Sequence, residues 1–408
     1  MIILFVHNYY QQPGGEDVVM RAERELLESR GHRVELLEAN NAQIVGIAGK
    51  VKTALGTVYS RAGKKRVAAN IAEIRPDIVH VHNFFPLFSP SVYQACREAG
   101  VPVVQTVQNY RFICPGAYLL RRGRPCEECL GRRFAWSGVL HGCYRSSRPG
   151  TATVAAMVAV HRQMNTWEKS VDTFIAATDF SRRKLIEGGL PAGKTVVKPN
   201  FVADPGEAGE GRGGFALFAG RLAPEKGVET MLSAWKLLGT SIPLKVIGDG
   251  PLREEVRRAA SGAIEYLGAQ PRQNVLALMR DASLLVFPSI WYEGLPMVIL
   301  EAFSVGLPVI ASRLGSMVSL VEDRRTGVHF RPGDAEDLAA KISWAATNPT
   351  EVRRMRREAR AEYEANYTPE RNYDLLMGIY TRLAHGNMQE SVSALARAIS
   401  PEKKNAAA

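Results

Sequence analysis

The sequence predicts an α/β protein of two doubly wound parallel-sheet domains that face each other across an inter-domain cleft. Three observations predict it. Short apolar runs alternate with amphipathic stretches up to about residue 198. The alternation starts afresh at 215 and runs to about 368. Between the two series lies "PNFVADPGEAGEGRGG" (199–214), whose glycine and proline content reads as a linker. A chain of 408 residues, 46% hydrophobic, also exceeds what one ordinary core serves.

The elements follow in order. "MIILFV" is a strand, and "DVVMRAERELLESRG" is a helix closed by Gly31. "HRVELLEA" and "PDIVHVHN" (76–83) are strands, "SPSVYQACREAG" (89–100) is a helix, and "VPVVQTVQ" is a strand. This rhythm implies a parallel sheet covered by helices on both faces. His80 and His82 are expected on opposite faces of their strand, with His82 nearer the cleft. The rhythm breaks over 111–150, an insertion rich in Cys and Arg, and resumes at "TATVAAMVAVH" (151–161), read as a core helix. "VDTFIAAT" is a strand, and "DFSRRKLIEGG" is a helix capped by Asp179 or Ser181. In the second series, "FALFAG", "LKVIGDG", "AIEYLG", "SLLVFPS" and "LPVIAS" alternate with five helical stretches, "GVETMLSAWKLL" to "DLAAKISWAAT".

Composition excludes several classes. Charged residues make up 23% and no low-complexity tract appears, so the chain is globular. No run of about 18 apolar residues exists to span a membrane. The first residues enter an apolar run without a basic leader, so they read as a strand and the default location is cytoplasmic. Five cysteines do not make a disulfide scaffold. The formal net charge of +11 favours anionic partners such as phosphorylated metabolites and acidic headgroups.

Three stretches carry chemistry. "FAGRLAPEKG" (218–227) sets Arg221 and Lys226 between a strand and a helix N-terminus, which suits a diphosphate. "VIGDGPL" (246–252) is a second strand–turn–helix, in which Gly248 and Gly250 let the backbone approach a ligand. In "YEGLPMVILEAFSVG", Gly294 and Leu295 lead to Pro296 at the first position of a helix that Gly306 ends. The free amides of that helix would point into the cleft. Glu293 precedes the helix, and Glu301 lies inside it among apolar neighbours. A carboxylate does not bind phosphate, but it accepts hydrogen bonds from hydroxyls. Cations and amides for phosphate, with two acids for hydroxyls, describe a nucleotide-sugar pocket.

These residues resemble the retaining glycosyltransferases of family 4, which have the GT-B fold of two facing Rossmann-like domains. Glu293 and Glu301 match the E-x7-E motif. Gly220, Arg221, Leu222, Lys226 and Gly227 match "GRL-x-x-x-KG", and Gly14, Gly15 and Glu16 match the N-terminal "GGE" loop. The resemblance implies that Arg221 and Lys226 bind the diphosphate, Glu293 the donor sugar and Glu301 the ribose. It puts Gly14 and Gly15 near the reacting centre, and Leu267, Gly268 and Ala269 along the base. It also implies that the last helix (369–386) crosses back to the N-terminal domain (1–198), leaving 215–368 as the donor domain and 387–408 as a tail. At the position where relatives often carry His, this chain has Gln108, which can hold a sugar hydroxyl but cannot move a proton near neutral pH. A front-face retaining transfer needs neither a histidine there nor a catalytic metal.

Cys114, Cys126, Cys129 and Cys143, spaced C-x11-C-x2-C-x13-C, suggest a structural Zn2+ with four thiolate ligands. The same segment carries eight arginines, with Phe134 and Trp136 among them, which suits an anionic membrane surface or a lipid-linked acceptor. The expected activity is transfer of a hexosyl group from a nucleotide-diphosphate sugar to a glycan or lipid-linked acceptor, in cell-surface polysaccharide synthesis. The protein would then be cytoplasmic, with a peripheral position on the membrane as a variant of that location. A nucleotide-sugar epimerase and a non-enzymatic zinc-containing binding protein are the competing readings. Nucleic acid is not an expected partner, because two complete α/β domains with a phosphate clamp exceed what such binding needs.

Overall fold

The structure is a computed structural model and describes residues 1–11 and 14–385; the expected tail at 387–408 lies outside them. The chain divides into two compact units. The first takes Met1–Leu119, Glu127–Pro199 and the chain from Tyr373 on; the second takes Leu120–Cys126 and Asn200–Asn372. The 111–150 segment is therefore shared out between them.

The first unit carries strands β1 (Ile2–Tyr9), β2 (Arg33–Asn40), β3 (Ile78–Asn83) and β4 (Val103–Val107). A hairpin, β5 (Leu120–Arg121) and β6 (Arg124–Pro125), belongs to the stretch grouped with the second unit. β7 (Thr173–Ala176) and β8 (Thr195–Val197) complete a parallel sheet ordered β2-β1-β3-β4-β7-β8. Its helices are α1 (Gly15–Ser29), α2 (Gly46–Val58), α3 (Arg61–Ile74), α4 (Ser91–Glu98), α5 (Trp136–His141), α6 (Arg148–Gln163), α7 (Thr166–Ser170) and α8 (Asp179–Glu187). α2, α3, α5, α7, β8 and the β5–β6 hairpin had no counterpart in the elements expected from the sequence. α2, "GIAGKVKTALGTV", buries only Thr57 and carries Gly49 and Gly56 within its span, and interior glycines weaken a helical signal. β8 is three residues long and too short to register as an alternation. α8 is capped by Thr178, whose hydroxyl accepts from the Ser181 amide, one residue before the expected start.

The second unit carries β9 (Ala216–Ala219), β10 (Leu244–Ile247), β11 (Ile264–Gly268), β12 (Leu284–Phe287), β13 (Val309–Ser312) and β14 (Gly327–Phe330). They form a parallel sheet ordered β11-β10-β9-β12-β13-β14. Its helices are α9 (Val228–Leu238), α10 (Arg253–Ala259), α11 (Arg272–Asp281), α12 (Met297–Ser304), α13 (Met317–Leu320), α14 (Ala335–Thr347) and α15 (Pro349–Asn366). The period of two along each strand divides its residues between two cores. Leu217 and Phe287 face Ile299 and Phe303 of α12 and Tyr363 of α15. Phe218 and Val286 face Met231 and Trp235 of α9 and Ile342 of α14. Each fully buried side chain of this size contributes about 2–3 kcal/mol by leaving water.

A last helix, α16, spans Pro369–Ala384. Its residues Leu375, Leu376, Ile379 and Tyr380 join Ile3, Phe5, Met20 and Leu27 in the core of the first unit. A polar cluster lies beside that core. Glu23 pairs with Lys198 at 2.5 Å, and both are buried. His80 and His82 stack at 4.1 Å between ring centroids, so they share a face of β3 instead of taking opposite ones. The reason is the strand period: residues two apart point the same way. The two ring nitrogens of His80 meet the hydroxyls of Tyr380 (2.6 Å) and Thr106 (2.7 Å).

Burial, with the Lys198 ammonium adding to it, holds His80 and His82 well below the ordinary histidine value of 6.5. The unfolded chain takes up protons on these rings below about pH 6.5 and the folded chain does not, so stability is full above that pH and falls as the pH drops. Urea midpoints should therefore decline from about pH 7 to about pH 5.5, and less steeply in His82→Gln. A midpoint that stays flat over that window contradicts the buried neutral pair.

Candidate functional site

In the second sheet the strand order reverses between β9 and β12. Ligands of open α/β sheets bind beyond the carboxyl ends of the strands at such a reversal. Three loops leave those ends here, after β9 (220–227), β10 (248–252) and β12 (288–296). They are laced together by backbone hydrogen bonds: Leu222 N–H to Asp249 O at 2.9 Å, Leu252 N–H to Leu222 O at 2.9 Å, and Ile290 N–H to Glu225 O at 3.0 Å. The glycines permit this lacing. A Cβ on Gly248, whose φ is 141°, would sit 1.8 Å from Gly220 O. One on Gly250 would sit 2.4 Å from Leu222 O, and one on Gly227 1.9 Å from Pro288 O. Gly248 and Gly250 are thus required by the approach of one loop to another, before any ligand is considered.

Glu293 is the centre of this constellation. It is buried, and its Oε1 accepts from Lys226 Nζ (2.7 Å), Ser289 Oγ (2.8 Å) and Trp291 Nε1 (2.8 Å). The Ser316 hydroxyl donates to the carbonyls of Glu293 and Gly294. A carboxylate removed from water needs this many partners. Lys226 Nζ also lies 5.5 Å from the centre of the Trp291 ring. Arg221 is half exposed and pairs with Glu225. The Lys226 contact joins the loop after β9 to the loop after β12, across the reversal itself.

The helix after Glu293, α12, starts one position later than expected, with Pro296 as its cap and Met297 as its first residue. Proline's fixed φ and missing N–H suit either position. Gly306, with φ 72°, follows its end. Glu301 is only partly buried and pairs with Arg272 at 3.1 Å, although Leu300 and Ala302 beside it are fully buried. It therefore lies on the one flank of α12 that reaches solvent. Gly268 ends β11 with φ 68°, open space lies where its Cβ would be, and Ala269 after it is exposed.

In the first sheet the order reverses between β1 and β3. Gly14 caps α1, and its amide donates to Asp17 Oδ2 at 2.9 Å, while Asp17 Oδ1 meets His7 Nε2 at 2.8 Å. Nothing lies within 4 Å of a Cβ built on Gly14 or Gly15, so the chain's own packing does not explain these glycines. Glu16 accepts from the Asn109 amide, next to half-buried Gln108. A cavity of about 480 Å³ opens nearby, between Gln11, Asn41, Phe85, Lys50 and Val51 of α2, and Tyr144.

The zinc site expected from Cys114, Cys126, Cys129 and Cys143 finds no support among the described residues. Among the described residues, the group of three His, Cys, Asp or Glu ligand atoms within 4.8 Å of one another is Glu23, His80 and His82. The 111–150 segment folds on its own turns instead, with Cys114 N–H to Tyr110 O at 2.8 Å and Cys143 N–H to Gly138 O at 3.0 Å. The Glu23 trio does not suit a metal either, since Lys198 already neutralises Glu23 and hydroxyls occupy both nitrogens of His80.

Ser289, Trp291 and Ser316 were missed by sequence reasoning. The first two had a signal: with Glu293 they recur at every second position, 289, 291 and 293. Ser316 is 23 residues from Glu293 and had none. If the lacing of the loops sets their shape, Gly248→Ala should lose roughly 2 kcal/mol or more of stability. Wild-type urea stability in that variant would show that the loops part freely.

The chain matches the family described as glycosyl transferases group 1 over residues 206–362 and the glycosyl transferase 4-like domain over 14–200. It is 26% identical to sulfoquinovosyl transferase SQD2 of Arabidopsis thaliana over 69% of this chain, a match spanning 52% of that relative. It is 28% identical to glycogen synthase of Mycobacterium tuberculosis over 77% of this chain and 71% of that one. Anabaena Alr3699/HepE, solved with UDP, shares the fold at a TM-score of 0.67 and 17% identity, over 93% of this chain and 100% of that chain. The two family matches adjoin and fall one on each parallel sheet, and the chain belongs to the family 4-like, group 1 glycosyltransferases of the GT-B fold.

Proposed function

We propose that the protein moves a hexosyl group, with retention of configuration, from a nucleotide-diphosphate sugar to a glycan or lipid-linked acceptor in cell-surface polysaccharide synthesis. The observation that carries this reading is the meeting of Lys226 and Glu293 across the reversal of the second sheet. Arg221 and Lys226 bind the diphosphate, which displaces Glu225 as the partner of exposed Arg221. Two cations and the first amides of α12 answer the diphosphate charge, the work a divalent cation does elsewhere. HepE, solved with UDP and with UDP-glucose, supports a nucleotide-sugar donor.

Glu293, its Oε1 held by three donors, accepts from a hydroxyl of the donor sugar. Glu301 turns from Arg272 to the ribose, while Gly268 and Ala269 line the base. Gly14 and Gly15 leave room at the reacting centre, and Gln108 holds a sugar hydroxyl without exchanging a proton. The departing diphosphate, held by the two cations, supplies the base for the incoming acceptor hydroxyl on the same face, and retention follows. The protein works at the cytoplasmic face of a membrane, where an acceptor carried on lipid is found.

Glu293→Gln should lower turnover by roughly a hundredfold while nucleotide-diphosphate binding persists; lost binding with normal turnover would falsify its role. Replacing both Arg221 and Lys226 by Ala should weaken UDP or GDP binding by roughly a hundredfold in calorimetry, and unchanged affinity removes the clamp. A panel of nucleotide sugars, scored by protection against heat unfolding, identifies the donor.

A further inference from the structure

Helix α2 is the wrong way out for a soluble surface helix. Ile47, Val51 and Leu55 repeat every four residues and so form one stripe. Ile47 is 81% exposed and Leu55 78%, and Val45 just before the helix is exposed too. The side that faces the protein is made of small residues: Gly49, Thr53 and Ala54 are half-buried and Thr57 is buried. A stripe like this is the part of an amphipathic helix that normally packs inward.

The charge around it is one-sided. No acidic residue occurs from 39 to 72, a stretch that includes Lys50 and Lys52 of α2. α2 packs on α6, and α6 packs on α5. Those two helices lie within 129–167, which also has no acidic residue and includes Arg132, Arg133 and Arg145. Exposed apolar side chains continue there, in Trp136 and Leu140 of α5 and Met164 after α6. The cavity between α2 and Tyr144 carries the apolar lining inward, with Lys50 and Arg145 among its residues.

We infer that α2 is a bilayer-docking helix. It lies on an anionic lipid surface with Ile47, Val51 and Leu55 among the acyl chains and Lys50 and Lys52 against the headgroups. Exposed apolar side chains in an acid-free surround match that partner in both respects. A second copy of the chain does not match it, because a self-complementary contact would set cations against cations. Among the described residues no helix is long and apolar enough to cross a membrane, so the contact is peripheral. The inference rests on the proposed lipid-linked acceptor only for its biological use, since docking itself needs neither substrate.

The test is flotation of the full chain with vesicles of phosphatidylcholine alone or mixed with phosphatidylglycerol. The protein should float with the mixed vesicles and stay behind with the neutral ones. Ile47→Ser, Val51→Ser and Leu55→Ser together should lower partition by roughly tenfold or more. Lys50→Glu with Lys52→Glu should lower it by roughly thirtyfold. All five side chains are exposed or outward-facing, and an unchanged unfolding temperature confirms that each variant folds. Failure of the wild type to float with anionic vesicles overturns the inference, as does wild-type flotation of the serine variant. So does a dimer in size exclusion that the serine variant turns into a monomer. Calorimetric binding of UDP or GDP by the same variants separates this outcome from the donor site, since a lost bilayer contact with intact nucleotide binding leaves the transferase reading standing.

Discussion

A carboxylate buried where two strand orders diverge is the constraint on which the second unit depends. Glu293 lies buried just past the carboxyl end of β12, where a carboxylate out of water needs hydrogen-bond partners. Lys226, Ser289 and Trp291 must therefore all reach one oxygen, Oε1. That fixes the loop after β12 against the loop after β9. Gly227, pressed on Pro288 O, and Gly248, pressed on Gly220 O, follow from it, because loops drawn this close leave no room for a Cβ. The same contact holds a cation beside α12, whose first amides complete a positive rim.

The first unit solves a related problem differently. Its sheet reverses between β1 and β3, but the loop there, at Gly14 and Gly15, has open space instead of close packing. Its buried charged and histidine groups gather between α1, β3 and the end of β8, in the Glu23–Lys198 pair and the stacked His80 and His82. The first unit thus has a buried polar cluster among its helices and strands, while in the second the loops after β9 and β12 meet through one buried carboxylate. Tight loops suit a ligand of fixed shape, such as a diphosphate. An open loop beside a cavity suits a partner whose shape is less constrained.

The fold was largely legible because strands buried on both faces leave continuous apolar runs, as in β1, β9 and β12. Lys226 and Glu293, which meet in the structure, stood out because charged residues lay where an apolar or glycine pattern made them anomalous. What was hidden had physical reasons. α2 carries Gly49 and Gly56 within its span, and interior glycines weaken a helical pattern even where apolar residues repeat. Ser316, just before α13, reaches the Glu293 carbonyl from 23 residues away, and no local pattern encodes a contact between distant segments. The cysteines carry less information than they suggest, because a C-x2-C spacing reports two thiols near each other, while four in one cage need the surrounding backbone to converge. Glu301 was read as enclosed because its sequence neighbours are apolar, but on a helix the neighbours in space are three and four residues away, and one flank of α12 is open.

The helix α16 has a consequence for how the chain is made. Leu376, Ile379 and Tyr380 fill the core around Phe5 and Met20, and Tyr380 bonds His80 across 300 residues of sequence. A ribosome has finished the whole of 200–372 before these residues emerge. The unit whose strands are synthesised first is therefore the last able to close its core, and β1 to β4, β7 and β8 must wait with an apolar gap while the second sheet assembles. For this polypeptide, the order of synthesis and the order of completion run in opposite directions.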